Sequence, residues 1–174
     1  MLSLKCYETR LGEMGRRYPE MPSMAVMVVR LALFLHRRLD DRLTDHLAHH
    51  GLSHSTWSLL MLIHSSPGGS IAPSEASSVL RQSRPHMTRM TDELVERGWV
   101  ERRTDPKDRR AISISITPLG QQELERLLPT MWGEYEELTA GFSGDEMTQL
   151  QSLLRQWLLH LEGGRDSNQD REQQ

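Results

Sequence analysis

The stretch Pro73–Gly120, PSEASSVLRQSRPHMTRMTDELVERGWVERRTDPKDRRAISISITPLG, decides the fold. Its first half holds two short helical patterns. Pro73 suits a first helical turn, where a missing N–H leaves no bond unmade. Ala76, Val79 and Leu80 are the expected inward residues of that helix, which ends near Arg81. Ser83 then caps a second helix, with Pro85 inside its first turn. On the helical wheel Met87, Met90, Leu94 and Gly98 share one side, while Arg89, Asp92 and Glu96 face away. Gly98 is the expected stop. The second half is a hairpin, in which Trp99–Arg103 leads through the charged turn Thr104–Asp108 to a return strand, Ala111–Ile116. There Ile112, Ile114 and Ile116 alternate with Ser113 and Ser115, the pattern of a half-buried strand. Thr117 is expected to cap the next helix, with Pro118 in its first turn.

Helix, short turn, helix and two-stranded wing make the winged helix-turn-helix arrangement. Long helices flank it. Upstream, Leu4, Leu11 and Met14 mark a loose amphipathic helix over 2–17, and Pro19 and Pro22 punctuate the chain. From Ser23 the period is strong: Met24, Val28, Leu31, Leu35, Leu39, Leu43 and Leu47 predict a helix of roughly seven turns that stops at Gly51. Another helix begins near Ser53, capped by Ser53 or Ser55, and buries Trp57, Leu60 and Met61 or Ile63. Pro67-Gly68-Gly69-Ser70 closes it as a loop. Downstream, Leu124, Leu127, Leu128, Met131, Tyr135 and Leu138 define a helix that Pro129 is expected to kink or break locally. A last helix, from about Asp145 to Leu161, carries Met147, Leu150, Leu153, Leu154, Trp157, Leu158 and Leu161, a heptad-like stripe that calls for a partner helix. The polar residues beyond Gly163 are expected to form a disordered tail. The expected fold class is mainly α with a small β-wing. It divides into N-terminal dimerisation helices (1–50), a winged helix-turn-helix domain (51–120), C-terminal dimerisation helices (121–162) and the tail (163–174).

At 174 residues the chain holds one ordinary domain, or a small one with helical extensions. One cysteine excludes a disulfide framework or a cysteine metal cluster within the chain, and a reducing cytoplasm is the expected location. The longest apolar run, Met24–Leu35, is broken by Arg30, so no membrane span is expected. No secretory leader is expected either. The net charge of −3 is unevenly spread: Arg81–Arg110 holds nine Lys/Arg and six Asp/Glu, a local +3, which leaves −6 elsewhere. A basic face on an acidic body is compatible with DNA, because only the docking surface must be positive. A solvated charged hairpin has the same composition.

In a winged module the second helix enters the major groove through its first two turns. Here those turns offer Ser83, Arg84, His86, Thr88 and Arg89. Arginine donates two hydrogen bonds to guanine, and hydroxyls hold phosphates or bases. Arg89 faces outward with His86 beside it, so these two are the expected base readers. Asp92 and Glu96, further along the same face, oppose phosphate, so the helix is expected to leave the groove there. Without the surrounding motif, Arg84 and Arg89 would be ordinary solvated helix charges.

The run Asp105-Pro106-Lys107-Asp108-Arg109-Arg110, the alternating apolar strand, and Ile116-Thr117-Pro118-Leu119-Gly120 together resemble the wing of the MarR family of transcriptional regulators. So do Glu93-Leu94-Val95-Glu96-Arg97-Gly98-Trp99-Val100-Glu101-Arg102 and the entry Gly51-Leu52-Ser53 before Trp57. The resemblance covers most of residues 24–161. Pro73-Ser74-Glu75, Arg97–Arg103 and Leu128-Pro129 look most like the multidrug-efflux and aromatic-compound-sensing branch (the MprA/EmrR type). It implies that Arg110 enters a narrow minor groove and that Asp108 orients it. Arg103, Lys107 and Arg109 would then contact phosphates. Without DNA, an Asp108–Arg110 pair would merely close a hairpin, and such an exposed pair contributes only ~0–1 kcal/mol. The resemblance further implies a homodimer on a pseudo-palindromic double-stranded DNA operator, usually as a repressor. A small aromatic or phenolic carboxylate, salicylate- or hydroxynicotinate-like, would bind between the dimer helices and the DNA-binding lobe. On this chain that crevice would be lined by Arg30, His36, Arg37, His54, Trp57 and Met61. Arg30 would pair either with the ligand carboxylate or with an acidic side chain of the partner subunit, and Trp57 and Met61 also suit the core.

Other functions compete. His46, His49, His50 and His54 are dense, and His46 and His50 share a helix face at chelating spacing, as a zinc sensor of this family would require. No Cys or Glu completes such a set, so no metal or cofactor is expected. Cys6 raises oxidant sensing, but thiolate reactivity needs stabilising surroundings that Lys5 and Arg10 alone do not make. No Gly-rich phosphate loop, nucleophile elbow or HExxH motif is present, and Ser143 in Gly141-Phe142-Ser143-Gly144 reads as a helix cap, so an enzyme is not expected. A winged-helix protein-interaction module without DNA contact is the remaining alternative.

Overall fold

The computed structural model describes the backbone of residues 4–104 and 112–169, with side chains to residue 163. The elements are α1 (Leu4–Arg17), α2 (Ser23–Ala48), α3 (His54–Ser65), β1 (Ser70–Ile71), α4 (Pro73–Val79), α5 (Arg84–Glu96), β2 (Val100–Thr104), β3 (Ile112–Ile116), α6 (Pro118–Thr139) and α7 (Gly144–Gln169). Two compact units, 1–126 and 127–174, divide the chain within α6. Among the described residues no helix is long and apolar enough to cross a membrane.

In the first unit α3 is the central support, packed against α2, α4, α5 and β3. It buries Trp57, Leu59, Leu60 and Ile63, while Met61 stays half-buried. Ser53 starts it, its Oγ accepting from Thr56 N at 3.0 Å. Apolar burial of this kind contributes about 25 cal/mol per Å², so the face of α5 carrying Met87, Met90 and Leu94 turns inward. The end of α5 is a Schellman cap: Trp99 N donates to Leu94 O at 3.0 Å and Gly98 N to Val95 O at 2.9 Å. Gly98 has φ +71°, which glycine adopts without a Cβ penalty. The same motif closes α4, but there Arg81 takes the left-handed position at φ +51°.

The sheet has three strands, ordered β1-β3-β2 and antiparallel throughout. The extra strand, Ser70–Ile71, replaces the loop expected at Ser70; two residues are too few to leave a period in the sequence. It also alters the expected alternation of β3. Ser115 is buried and donates to Ser70 Oγ at 2.8 Å, while Ile114 is buried and Ile112 is 48% exposed at the end of β3 away from β1. Val79 is exposed rather than inward. The seven-residue α4 is too short for a full apolar stripe, and Ala76 fills its seat. Thr117 caps α6 as expected, accepting from Gly120 N at 3.0 Å. A Cβ at Gly120 would overlap the Trp99 carbonyl, so the hairpin and the start of α6 meet backbone to backbone.

One side chain ties this unit together. Arg97 Nη1 donates to His50 O at 3.4 Å, Nη2 donates to Gly51 O and to Glu93 Oε1, and the guanidinium lies 5.2 Å from the Trp99 ring centroid. Glu93 Oε2 in turn accepts from the buried Thr56 hydroxyl at 2.9 Å. The end of α2, the start of α3 and the end of α5 therefore share one corner. The histidines flank it. The His46 and His50 rings stand 6.4 Å apart, His49 Nδ1 lies 3.1 Å from Asp45 O, and His54 Nδ1 lies 2.8 Å from Asp40 Oδ1. Among the described residues no three His, Cys, Asp or Glu converge on a metal position. Burial, with Arg126, His46 and His49 nearby, holds His50 below its ordinary pKa.

In the second unit α6 runs through Pro129 as one continuous helix, so the expected kink or break does not take the form of a break. Met131 is buried, while Trp132 and Tyr135 are exposed. A capping box begins α7: Ser143 N donates to Glu146 Oε2 at 2.8 Å, and Glu146 N donates to Ser143 Oγ at 3.3 Å. The bond from Ser143 N, with another from the Ser143 hydroxyl to Glu146 Oε2 at 2.8 Å, favours the charged carboxylate and lowers the Glu146 pKa. The helix passes the expected end near Leu161 and continues to Gln169.

Two outcomes follow from the Arg97 corner. Arg97→Ala leaves two backbone carbonyls and Glu93 without their donor, and is expected to lower stability by about 1–3 kcal/mol in urea unfolding. A histidine whose folded pKa lies below its unfolded value contributes stability above the unfolded pKa and loses it as pH falls. The urea midpoint is therefore expected to drop as pH is lowered through about 6.5, with a shallower drop in His50→Gln.

Candidate nucleic-acid interface

The exposed side of α5 begins at its cap. Ser83 Oγ accepts from His86 N at 3.4 Å and so caps the first turn. Arg84, Thr88 and Arg89 are exposed and His86 is half-buried, so all five residues expected on the first two turns lie together. Arg89 and His86 act as a unit, with Arg89 Nη2 donating to His86 Nδ1 at 2.7 Å. That contact requires an unprotonated Nδ1 and holds the guanidinium along the helix face. The Thr88 hydroxyl donates to Arg84 O at 3.0 Å, which leaves its lone pairs as acceptors. Arg84 and Thr88 also border a hollow of about 460 Å³, lined further by Pro73, Ser74, Ser77, Ser78 and Met87.

Arg103 is exposed on β2 and pairs with Glu101 at 2.6 Å. A phosphate contact by Arg103 would therefore compete with a neighbour two residues away. Lys107, Asp108, Arg109 and Arg110 lie outside the described residues. Asp92 is not a bare opposing charge, because its Oδ1 accepts from Arg102 Nη2 at 2.5 Å. The sequence reading did not single out Arg102. Its signal was the period of two: it alternates with Glu101 and Arg103 and lies opposite the buried Ile114.

Of the six residues expected to line a ligand crevice, three lie on α2 and three on α3. Arg30, His36 and Arg37 are exposed on α2, and Arg30 borders a hollow of about 320 Å³ with Ala25, Val26 and Val29. His54 is engaged by Asp40, Met61 is half-buried, and Trp57 is 3% exposed, a core residue.

Comparison with known proteins agrees with this geometry. Residues 50–111 match the family model described as MarR family. The transcriptional repressor MprA of Escherichia coli is 31% identical over 155 residues, covering 89% of this chain and 88% of that one. A cysteine-to-serine mutant of Escherichia coli MarR, solved with operator DNA, superposes with a TM-score of 0.69 at 27% identity, covering 80% of this chain and 99% of that one. AbsC, a MarR family regulator from Streptomyces coelicolor, superposes at 0.73 with 19% identity over 82% and 97% of the two chains, a likeness of fold. With the winged helix-turn-helix, the capped helix whose first two turns carry Arg84 and Arg89, and these relatives together, the chain belongs to the MarR family of DNA-binding transcriptional regulators.

Proposed function

We propose that the protein is a homodimeric repressor that binds a pseudo-palindromic operator and is released from it by a small aromatic or phenolic carboxylate. The observation that carries the DNA reading is the exposed start of α5, where Ser83, Arg84, His86, Thr88 and Arg89 stand clear of the core. Arg89 with His86 reads bases, and Ser83, Arg84 and Thr88 hold the phosphate backbone around them. Arg103 adds a phosphate contact from the wing, and the family pattern assigns Arg110, oriented by Asp108 and flanked by Lys107 and Arg109, to the minor groove. Repression is the mode of the relative MprA.

Dimerisation is supported by apolar side chains that each unit leaves uncovered. Met24, Val28, Val29 and Leu33 are exposed on α2, and Leu153, Leu154, Leu158 and Leu161 on α7. Large apolar side chains exposed in number on one helix mark an interaction site. A two-fold dimer would place its recognition helices on half-sites about 34–36 Å apart. For the ligand, Arg30 supplies a cation beside the apolar Ala25, Val26 and Val29, a combination suited to an aromatic acid.

Arg89→Ala is expected to weaken operator binding by about 1–3 kcal/mol and to relax selectivity at one base position, read by mobility shift; unchanged affinity would remove Arg89 from the interface. Leu154→Glu with Leu158→Glu is expected to yield monomers in sedimentation equilibrium. Titrating salicylate- and hydroxynicotinate-like acids into the DNA complex is expected to release it, with the effect lost in Arg30→Ala. Failure of every acid to release DNA would reject the ligand assignment while leaving DNA binding intact.

A further inference from the structure

Asp92 is, with Glu96, one of two acidic residues of the recognition face that DNA binding alone does not explain. It is exposed three residues beyond Arg89, where an unpaired carboxylate would repel phosphate. Its partner is on another element, since Arg102 Nη2 reaches Asp92 Oδ1 at 2.5 Å from β2. The strand register gives the reason. Arg102 lies opposite Ile114, directly opposed residues share a face of the sheet, and Ile114 is buried. Glu101 and Arg103 occupy the other face and pair with each other. The two adjacent arginines of β2 are thus divided, one turned toward α5 and one away from it.

An exposed ion pair adds little to folding stability. What this one provides is geometry: a single Nη2–Oδ1 contact ties β2 to the helix at one point along its length. We propose that the Asp92–Arg102 pair is a strut that sets the position of the β2–β3 hairpin relative to the recognition helix, making Asp92 a positioning residue for sequence-selective DNA binding. The proposal rests on the DNA-binding reading. It opposes the simpler expectation in sign. Removing the Asp92 charge makes the face more positive, so electrostatics alone would tighten binding to any duplex. Loss of the strut instead weakens binding to the selected sequence, because base contacts demand fixed placement whereas phosphate attraction does not.

The test uses full-length wild type, Asp92→Asn, Arg102→Gln, the double variant and Arg102→Lys. Each is measured at one salt concentration on a duplex that wild type enriches from a randomised pool, and on an unrelated duplex of equal length. Asp92→Asn is expected to lower the ratio of the two affinities by about 5- to 20-fold, with binding to the unrelated duplex unchanged or tighter. The double variant is expected to be no less selective than Arg102→Gln, because the strut is already gone, and Arg102→Lys to retain part of the selectivity. If Asp92→Asn binds the enriched duplex as well as wild type or better, with its selectivity kept, the strut is refuted and the DNA-binding reading stands. Equal losses from Asp92→Asn in the wild-type and Arg102→Gln backgrounds would also refute it, because Asp92 would then act without Arg102. If wild type enriches no duplex, the DNA-binding reading fails and the strut with it.

Discussion

The first unit depends on one guanidinium. Arg97 donates to two carbonyls at the end of the long helix and to Glu93 on the recognition helix, while covering the Trp99 ring. Carbonyls at a helix C-terminus have no partners within the helix. Arg97 meets that need at the end of α2 and, in doing so, fixes where α5 ends relative to it. Glu93 passes the connection to Thr56, and so to the start of α3. Three helices, the last joined to the others across 37 or more positions of sequence, are thereby held at one corner.

That corner has a mechanical consequence for the proposed repressor. The start of α2 carries exposed apolar residues available to a second copy, and its other end is bonded to the helix expected to read bases. A ligand acting on the N-terminal part of α2 would have a direct bonded route to α5. Such a ligand changes DNA affinity only through differential binding to two arrangements of the protein. The corner names the contact through which those arrangements would differ.

The recognition surface combines charges that are already partnered within the protein. Arg89 is held by His86, Arg103 by Glu101 and Arg102 by Asp92. The Arg89 and Arg103 pairs are exposed and therefore weak, so phosphate or a base can replace a partner there at modest cost. Meanwhile the pairing keeps long side chains near useful rotamers and lowers the entropy that binding must remove. Asp92, which as an isolated residue only opposes phosphate, becomes a link between helix and wing once Arg102 is placed.

The residues by themselves determined the helices, their caps at Ser53, Ser83 and Thr117, the glycine stop at Gly98, the hairpin and the exposed start of α5. These follow from local rules: side-chain period, capping hydroxyls and left-handed glycines act within a few residues. The family motifs likewise lie in one continuous stretch. Tertiary structure alone decided what depends on partners distant in sequence. The strand Ser70–Ile71 exists because β3 offers it a free edge, and Ser115 is buried because Ser70 supplies its hydrogen bond. Trp57 is buried because α3 is packed on several sides by elements distant in sequence. Arg97 and Arg102 acquired their roles from residues 46 and 10 positions away, Gly51 and Asp92. Their reach depends on how the chain folds back, and no period in the sequence encodes it.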